Sequence, residues 1–425
     1  VTIRRRLIAL VAVLTVVAAA CSTGSSPDGS AADRQDVPEV SDWDAVVSQA
    51  RGQTVRWYLW GGSDSINRFV DETYAPALEE RYGITLERVP VADTVDAVNQ
   101  VLAEKEAGKD RGAVDLIWIN GENFKSLKDA GLLRTDWAEE IPNARYVDWD
   151  DPSLNLDFGV PVDGAESPWS SAQFQFVYDS ARTTEGDLPR SYAQLKDWAC
   201  ANPGRFTYIA PGPGAFQGTR FAKGALFELS GGADQWATFD QARWDEWSPE
   251  LWAYLNELKP CLWRSGTTYP KDENELHKLF ANDEVDLTIT QAAVGPGSLI
   301  DEGLVPKTSK AFTFDANSIG DFNYVAIPSN APNPAAALVL ANLILDPAMQ
   351  ALQLDPANGF GLGFGIDAAT VTDEDDRKAL DGAAASRGTA AALIDELAAS
   401  RVSDGAAEYQ DLVEQGWRRE VAGGT

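Results

Sequence analysis

The sequence predicts an α/β protein of two lobes, with extended hinge crossings between them and a helical carboxyl-terminal region. Three observations carry this. Strand and helix signals alternate from Thr54 to Asn120, the rhythm of βαβ units and a parallel sheet. A second αβ stretch opens beyond two extended runs near Phe158 and Phe174. At 425 residues the chain exceeds the ~250 to 300 at which a single core stops growing, so two lobes are expected.

From the amino terminus, Arg4, Arg5 and Arg6 precede a fourteen-residue apolar run, Leu7 to Ala20, which ends in VVAAACS. The run falls short of the ~20 residues of a membrane helix and fits a signal-peptide core. Small residues directly before Cys21 resemble a bacterial lipobox, in which Cys21 would be lipidated and become the first mature residue. The alternative is an ordinary secretory cleavage site. Residues 1–20 therefore read as a lipoprotein signal peptide. Residues 21–50, opening on STGSSPDGSAADRQDVPEV, read as a flexible tether, whose ~20 polar residues would reach roughly 25 Å.

TVRWYLW (Thr54–Trp60) is a β-rich run that stops at Gly61 and Gly62. Ile66, Phe69, Val70, Tyr74, Ala77 and Leu78 then keep helical spacing, capped by Ser63 or Asp64, stopped at Gly83 and open to a break at Pro76. ITLERVP (Ile84–Pro90) is a second strand, and Asp93 or Thr94 caps the next helix. VDLIWIN (Val114–Asn120) is a third, its continuous apolar character suiting a parallel strand buried on both faces. FGVPV (Phe158–Val162) and FQFVYD (Phe174–Asp179) flank a loop holding Trp169, and SYAQLKDWA, RFTYIAP and GPGAFQGTRFAKGALFEL follow. VDLTIT (Val285–Thr290) and FNYVAIP (Phe322–Pro328) read as strands, and Ala-rich acidic helices close the chain. The expected division is lobe 1 from 51–160 and 295–350, and lobe 2 from 161–294 and 351–425. Hinges are expected at Phe158–Val162, Phe174–Asp179 and Phe322–Pro328.

Composition narrows the function. A formal net charge of −30 argues against nucleic acid, which needs clustered Lys and Arg. Besides Cys21 only Cys200 and Cys261 are present, a single pair in an exported chain. A Cys200–Cys261 bridge is expected, worth roughly 4 kcal/mol in the chain-entropy model; two unbridged buried cysteines are the alternative. His277 is the only histidine. Its solitude removes any multi-His metal site and most His-dependent triads, and in the polar segment DENELHKLF it is expected to face solvent. DEDD (Asp373–Asp376) reads as a solvated turn, and GGSDS misses the nucleophile-elbow pattern by its last residue. No cofactor and no metal are expected.

Taken in order, VDLIWINGENFKSLKDAGLL, FGVPVD, FQFVYDSA, LFANDEVDLTIT and NYVAIPSNAPNPAAALVLANLILDP resemble the successive segments of extracellular solute-binding proteins of ABC importers, which have the type II periplasmic-binding fold. LWGGSDSIN and IWINGENF are similar to the YnjB-like subfamily, and the resemblance spans about Gly52 to Leu362. It implies a lipid-anchored monomer on the outer face of the cell membrane that closes on a small polar solute and delivers it to permease subunits. Ferric-ion-binding relatives use an adjacent Tyr pair, which is absent here. The strand ends of such a fold line the ligand. Candidate ligand-binding residues are therefore Tyr58, Trp60, Gly61, Gly62 and Ser63 at the first strand end, and Asn120, Glu122 and Asn123 at the third. Trp169 and Gln173 stand at the crossing, Phe216, Gln217 and Thr219 at the Gly-rich turn, and Gln291 after VDLTIT. Trp57, which alternates away, is expected in the core, and Gly61 and Gly62 to let the backbone turn and approach a ligand. The competing readings are a secreted lipoprotein hydrolase, such as a carboxylate-using glycosidase, and an adhesive lipoprotein.

Overall fold

The computed structural model describes residues 38–151, 154–355 and 359–423. Cys21, the signal peptide and most of the expected tether lie outside the described residues. The last part of that tether is a correction. Trp43–Ala50 form a helix, capped by the Asp42 carboxylate on the Ala45 N–H, and Val46 and Ala50 are buried against the helix Pro334–Ile344. Apolar residues at i and i+4 give this segment a face to bury, which the preceding Ser/Gly/Asp stretch lacks.

In chain order the strands are β1 (Thr54–Trp60), β2 (Thr85–Val91), β3 (Leu116–Ile119), β4 (Leu156–Asp157), β5 (Val160–Pro161), β6 (Glu166–Gln173), β7 (Gln175–Asp179), β8 (Leu287–Thr290), β9 (Ser309–Phe312), β10 (Ser318–Ala326), β11 (Gly363–Phe364) and β12 (Arg401–Val402). The larger sheet runs β11-β6-β10-β3-β1-β2, with β12 on β10. β1 is parallel to β2 and β3, as the βαβ rhythm predicts, whereas β10 runs antiparallel to β3 and β6. β8-β7-β9 form a smaller antiparallel sheet with its own aromatic core, and β4 and β5 make a short hairpin.

Along β1 the period-2 pleat sends Val55, Trp57 and Leu59 into the large core. Ser63 caps the helix that follows, and Gly83 ends it in the left-handed conformation. The break at Pro76 is absorbed by a wide turn over Val70–Tyr74, which frees the proline from the missing N–H bond. The helix Pro334–Ile344 is buried from Ala335 to Ile344 and forms the spine of the large core. Among the described residues no single helix is long and apolar enough to cross a membrane.

Several elements differ from expectation. Trp169 sits in strand β6, not in a loop; its Ser-rich sequence is buried because β6 is flanked by β10 and β11. Glu166–Gln173 thereby joins the large sheet and Ser309–Phe312 the small one. RFTYIAP forms no ladder, since its backbone groups bond to loops, as Phe206 O does with Trp263 N and Ala210 N with Pro270 O. Asp373 caps the helix Glu374–Ala385, so DEDD opens a helix instead of forming a turn. His277 is buried because its helix lays Leu276, His277 and Phe280 onto the small core, where Nδ1 lies 2.9 Å from Thr288 Oγ1. Burial lowers its pKa to about 4. Cys200, in the last turn of the helix Tyr192–Ala201, is bonded to Cys261, just past the helix Gln241–Leu258, as expected.

Candidate functional site

Trp60, at the carboxyl end of β1, is 37% exposed, while Trp57 on the opposite face is fully buried. The Trp60 ring meets Trp118 edge-on at 6.5 Å, Trp118 meets Trp169 at 5.0 Å, and Trp169 meets Trp57 at 5.2 Å. An aromatic path thus runs from the exposed strand end into the core. Gly61 and Gly62 do not have positive φ. Their role differs from the expected turn: a Cβ on Gly62 would overlap the Trp60 indole, and one on Gly61 would overlap Pro90. Gly62 makes room for the ring, and Gly61 for Pro90.

Asn120 accepts from Trp118 Nε1 at 3.2 Å and donates to the Phe322 carbonyl at 2.7 Å. It leads into the helix Gly121–Asp129, whose first N–H, from Gly121, is taken by Asp157 Oδ2 at 2.6 Å. Gly121 is at φ +59°, and a side chain there would strike the Phe158 ring. Glu122 follows, with Oε2 buried and unpartnered and Oε1 3.4 Å from the Asn123 amide. Burial pushes its carboxyl up to about 7; Lys223 pulls the other way and Glu414 adds to the rise.

The opposite side is built on the helix Phe216–Leu229. Phe216 meets Phe158 at 5.8 Å. Arg220 bonds Asp404 at 2.8 Å, Asp321 on β10, and the Gln291 amide oxygen. Lys223, fully buried, pairs with Asp404 and lies 4.9 Å from the Phe158 ring centre. Burial acts to raise Asp404, yet Lys223 and Arg220 outweigh it and hold the carboxylate below its ordinary range. Gln291 also reaches Glu273, which burial pushes up to about 7. Buried ion pairs of this kind gain little net stability, but losing one partner costs about 3 to 5 kcal/mol.

The other candidates fall elsewhere. Trp169 is wholly buried, Thr219 turns to Glu414 at 3.3 Å, and Gln217 lines a cavity inside the small core. Gln173 is held by Ser318, Leu397 and Ser400 where the chain leaves β6. Tyr58 packs half-buried under the helix Thr94–Glu106, near Glu104, and Ser63 is engaged as a helix cap. Trp118, Asp157, Arg220, Lys223, Asp321 and Asp404 were not among the candidates. For Arg220 and Lys223 a signal existed, two cations at i and i+3 among the apolar residues of one helix.

A mixed sheet and a smaller antiparallel sheet, each with its own core, make up the architecture, with a half-exposed tryptophan at one strand end and buried ion pairs between their elements. The profile of the family described as bacterial extracellular solute-binding protein matches residues 73–361, and the chain belongs to that family. It is 40% identical over 320 residues to protein YnjB of Escherichia coli K12, covering 75% of this chain and 81% of that protein. Among solved structures it is similar to the spermidine/putrescine ABC transporter substrate-binding protein PotD from Streptococcus pneumoniae, with TM-score 0.59 and 16% identity over 87% of this chain and 98% of that one. It is also similar to iron-bound HitA from Pseudomonas aeruginosa, with TM-score 0.55 and 18% identity over 85% and 98%. The fold is that of the type II periplasmic-binding proteins. The protein is a solute-binding component of ABC transport, acting outside the cytoplasm; family and neighbours are binding proteins, and nothing in them favours a hydrolase.

Proposed function

We propose that the protein captures a small polar solute in the crevice between its two cores, closes on it, and hands it to permease subunits while Cys21 tethers it, as a monomer, to the outer face of the membrane. The observation that carries the site is the posed, exposed indole of Trp60, set against Gly62 and Trp118 at the end of a parallel strand where ligands of open α/β sheets sit. Trp118, Asn120 and Glu122 would complete the first lobe's wall, with Phe216, Arg220 and Gln291 facing them. Strand membership supports crossings at Phe174, between β6 and β7, and over Thr313–Asn317, between β9 and β10. Ligand contacts made from both lobes would populate the closed state by their difference in affinity for the two states. The spacing of Leu7–Ala20 and AAAC supports the anchor.

The test is Trp60→Ala, titrated with the solute that the wild type retains through purification. Affinity should fall by about 1 to 3 kcal/mol, the scale of aromatic stacking, with the thermal midpoint of the solute-free protein nearly unchanged. A core tryptophan would instead cost about 3 to 5 kcal/mol of stability and leave affinity alone, and that result would remove Trp60 from the site.

A further inference from the structure

Where the two cores meet, carboxyl groups outnumber cations. Glu122, Asp157, Glu273, Asp321, Asp404 and Glu414 share one electrostatic neighbourhood with Arg220, Lys223 and Arg401. Two of the cations are already engaged, Arg220 by Asp321 and Asp404, and Lys223 by Asp404. Asp157 is 1% exposed; one oxygen takes the Gly121 N–H, and the other, Oδ1, has no partner among the surrounding Asp321, Glu122 and Asp404. Glu122 Oε2 is buried and unpartnered as well. Buried acceptors left without a donor cost about 1 to 3 kcal/mol each, so two such oxygens at one helix entrance are open to a donor from outside the chain.

The chain itself shows which donor suits the place. The Lys223 ammonium sits between the Asp404 carboxylate and the face of Phe158, 4.9 Å from the ring centre, and the Arg220 guanidinium lies 5.6 Å from the Phe216 ring. Carboxylate on one side and an aromatic face on the other is the environment that stabilises a desolvated organic cation. The aromatic faces set beside these carboxyl groups suit an organic donor. Arg401 keeps an unpartnered Nη2 beside Phe322, and an anionic solute is accordingly the rival outcome below.

Resting on the solute-binding reading above, we propose that the solute carries a protonated amine or another organic cationic group, held by Glu122 and Asp157 against the aromatic rings of the crevice. The full chain, stripped of solute by unfolding and refolding, would be dialysed to equilibrium against a defined pool of amines, quaternary ammonium compounds, sugars, polyols and carboxylates, and the bound fraction identified by mass spectrometry. The expected result is enrichment of a cationic compound, with affinity lowered roughly 10- to 100-fold in Glu122→Gln, the loss of one charge-assisted bond. Asp375→Asn, on an exposed helix start, removes the same formal charge and should leave binding unaltered; an equal loss there would assign the selectivity to bulk charge and overturn the site. Enrichment of a sugar or a carboxylate by the wild type would overturn the cation proposal and leave solute binding standing. Enrichment of nothing would count against both.

Discussion

Individual buried side chains give this molecule opposing responses to pH. His277 sits in the small core with its pKa lowered by burial from 6.5 to about 4. Between those values the unfolded chain takes up a proton that the folded one refuses, so the stability His277 allows is complete above pH 6.5 and is lost as the pH falls toward 4. The shift corresponds to about 3 kcal/mol at ~1.4 kcal/mol per unit. Glu122 and Glu273 act in the other direction. Burial raises both to about 7 from 4.5, so they favour the folded state at low pH and this contribution disappears as the pH rises through that range. Urea unfolding of the wild type and His277→Gln at several pH values separates the two. The variant should lose about 3 kcal/mol less than the wild type between neutral pH and pH 4; parallel curves would mean that His277 takes up its proton in the fold as it does in the unfolded chain.

At the scale of elements, the strands and helices of the parallel unit were readable because their signals are local: the period-2 alternation of TVRWYLW, the Ser63 and Asp93 caps and the Gly83 stop each lie within one turn or strand of what they control. Trp57 and Trp60 were separated by alternation alone. β6 was not readable, since ESPWSSAQ is polar by composition and is buried only through β10 and β11, from distant parts of the chain. The ion-pair centre was hidden for the same reason: Lys223 meets Asp404 across 181 positions and Arg220 meets Asp321 across 101. The Cys200–Cys261 bond, expected from a single pair in an exported chain, ties the helix Tyr192–Ala201 to the turn after the helix Gln241–Leu258. The amino-terminal tether is the element for which a local signal must be tested chemically. Cys21→Ser should release the protein from the membrane fraction or leave its signal peptide uncleaved. A variant processed and retained as the wild type is would refute lipidation at Cys21.

For the whole molecule, two cores joined near Phe174 and Thr313–Asn317 frame the proposed crevice, and lobe closure is the proposed step that couples solute capture to delivery. Ion pairs of Arg220 join the helix Phe216–Leu229 to Asp321 on β10 of the large sheet and to Asp404 in the loop after β12, so they tie the two cores together at this point. Closure of this kind changes overall dimensions, whereas binding to a fixed surface does not. Small-angle X-ray scattering of the protein loaded with its retained solute, and of the same preparation stripped by unfolding and refolding, tests this most directly. The account predicts a smaller radius of gyration for the loaded form and a return to it when the solute is added back; superimposable curves with the solute demonstrably bound would contradict it.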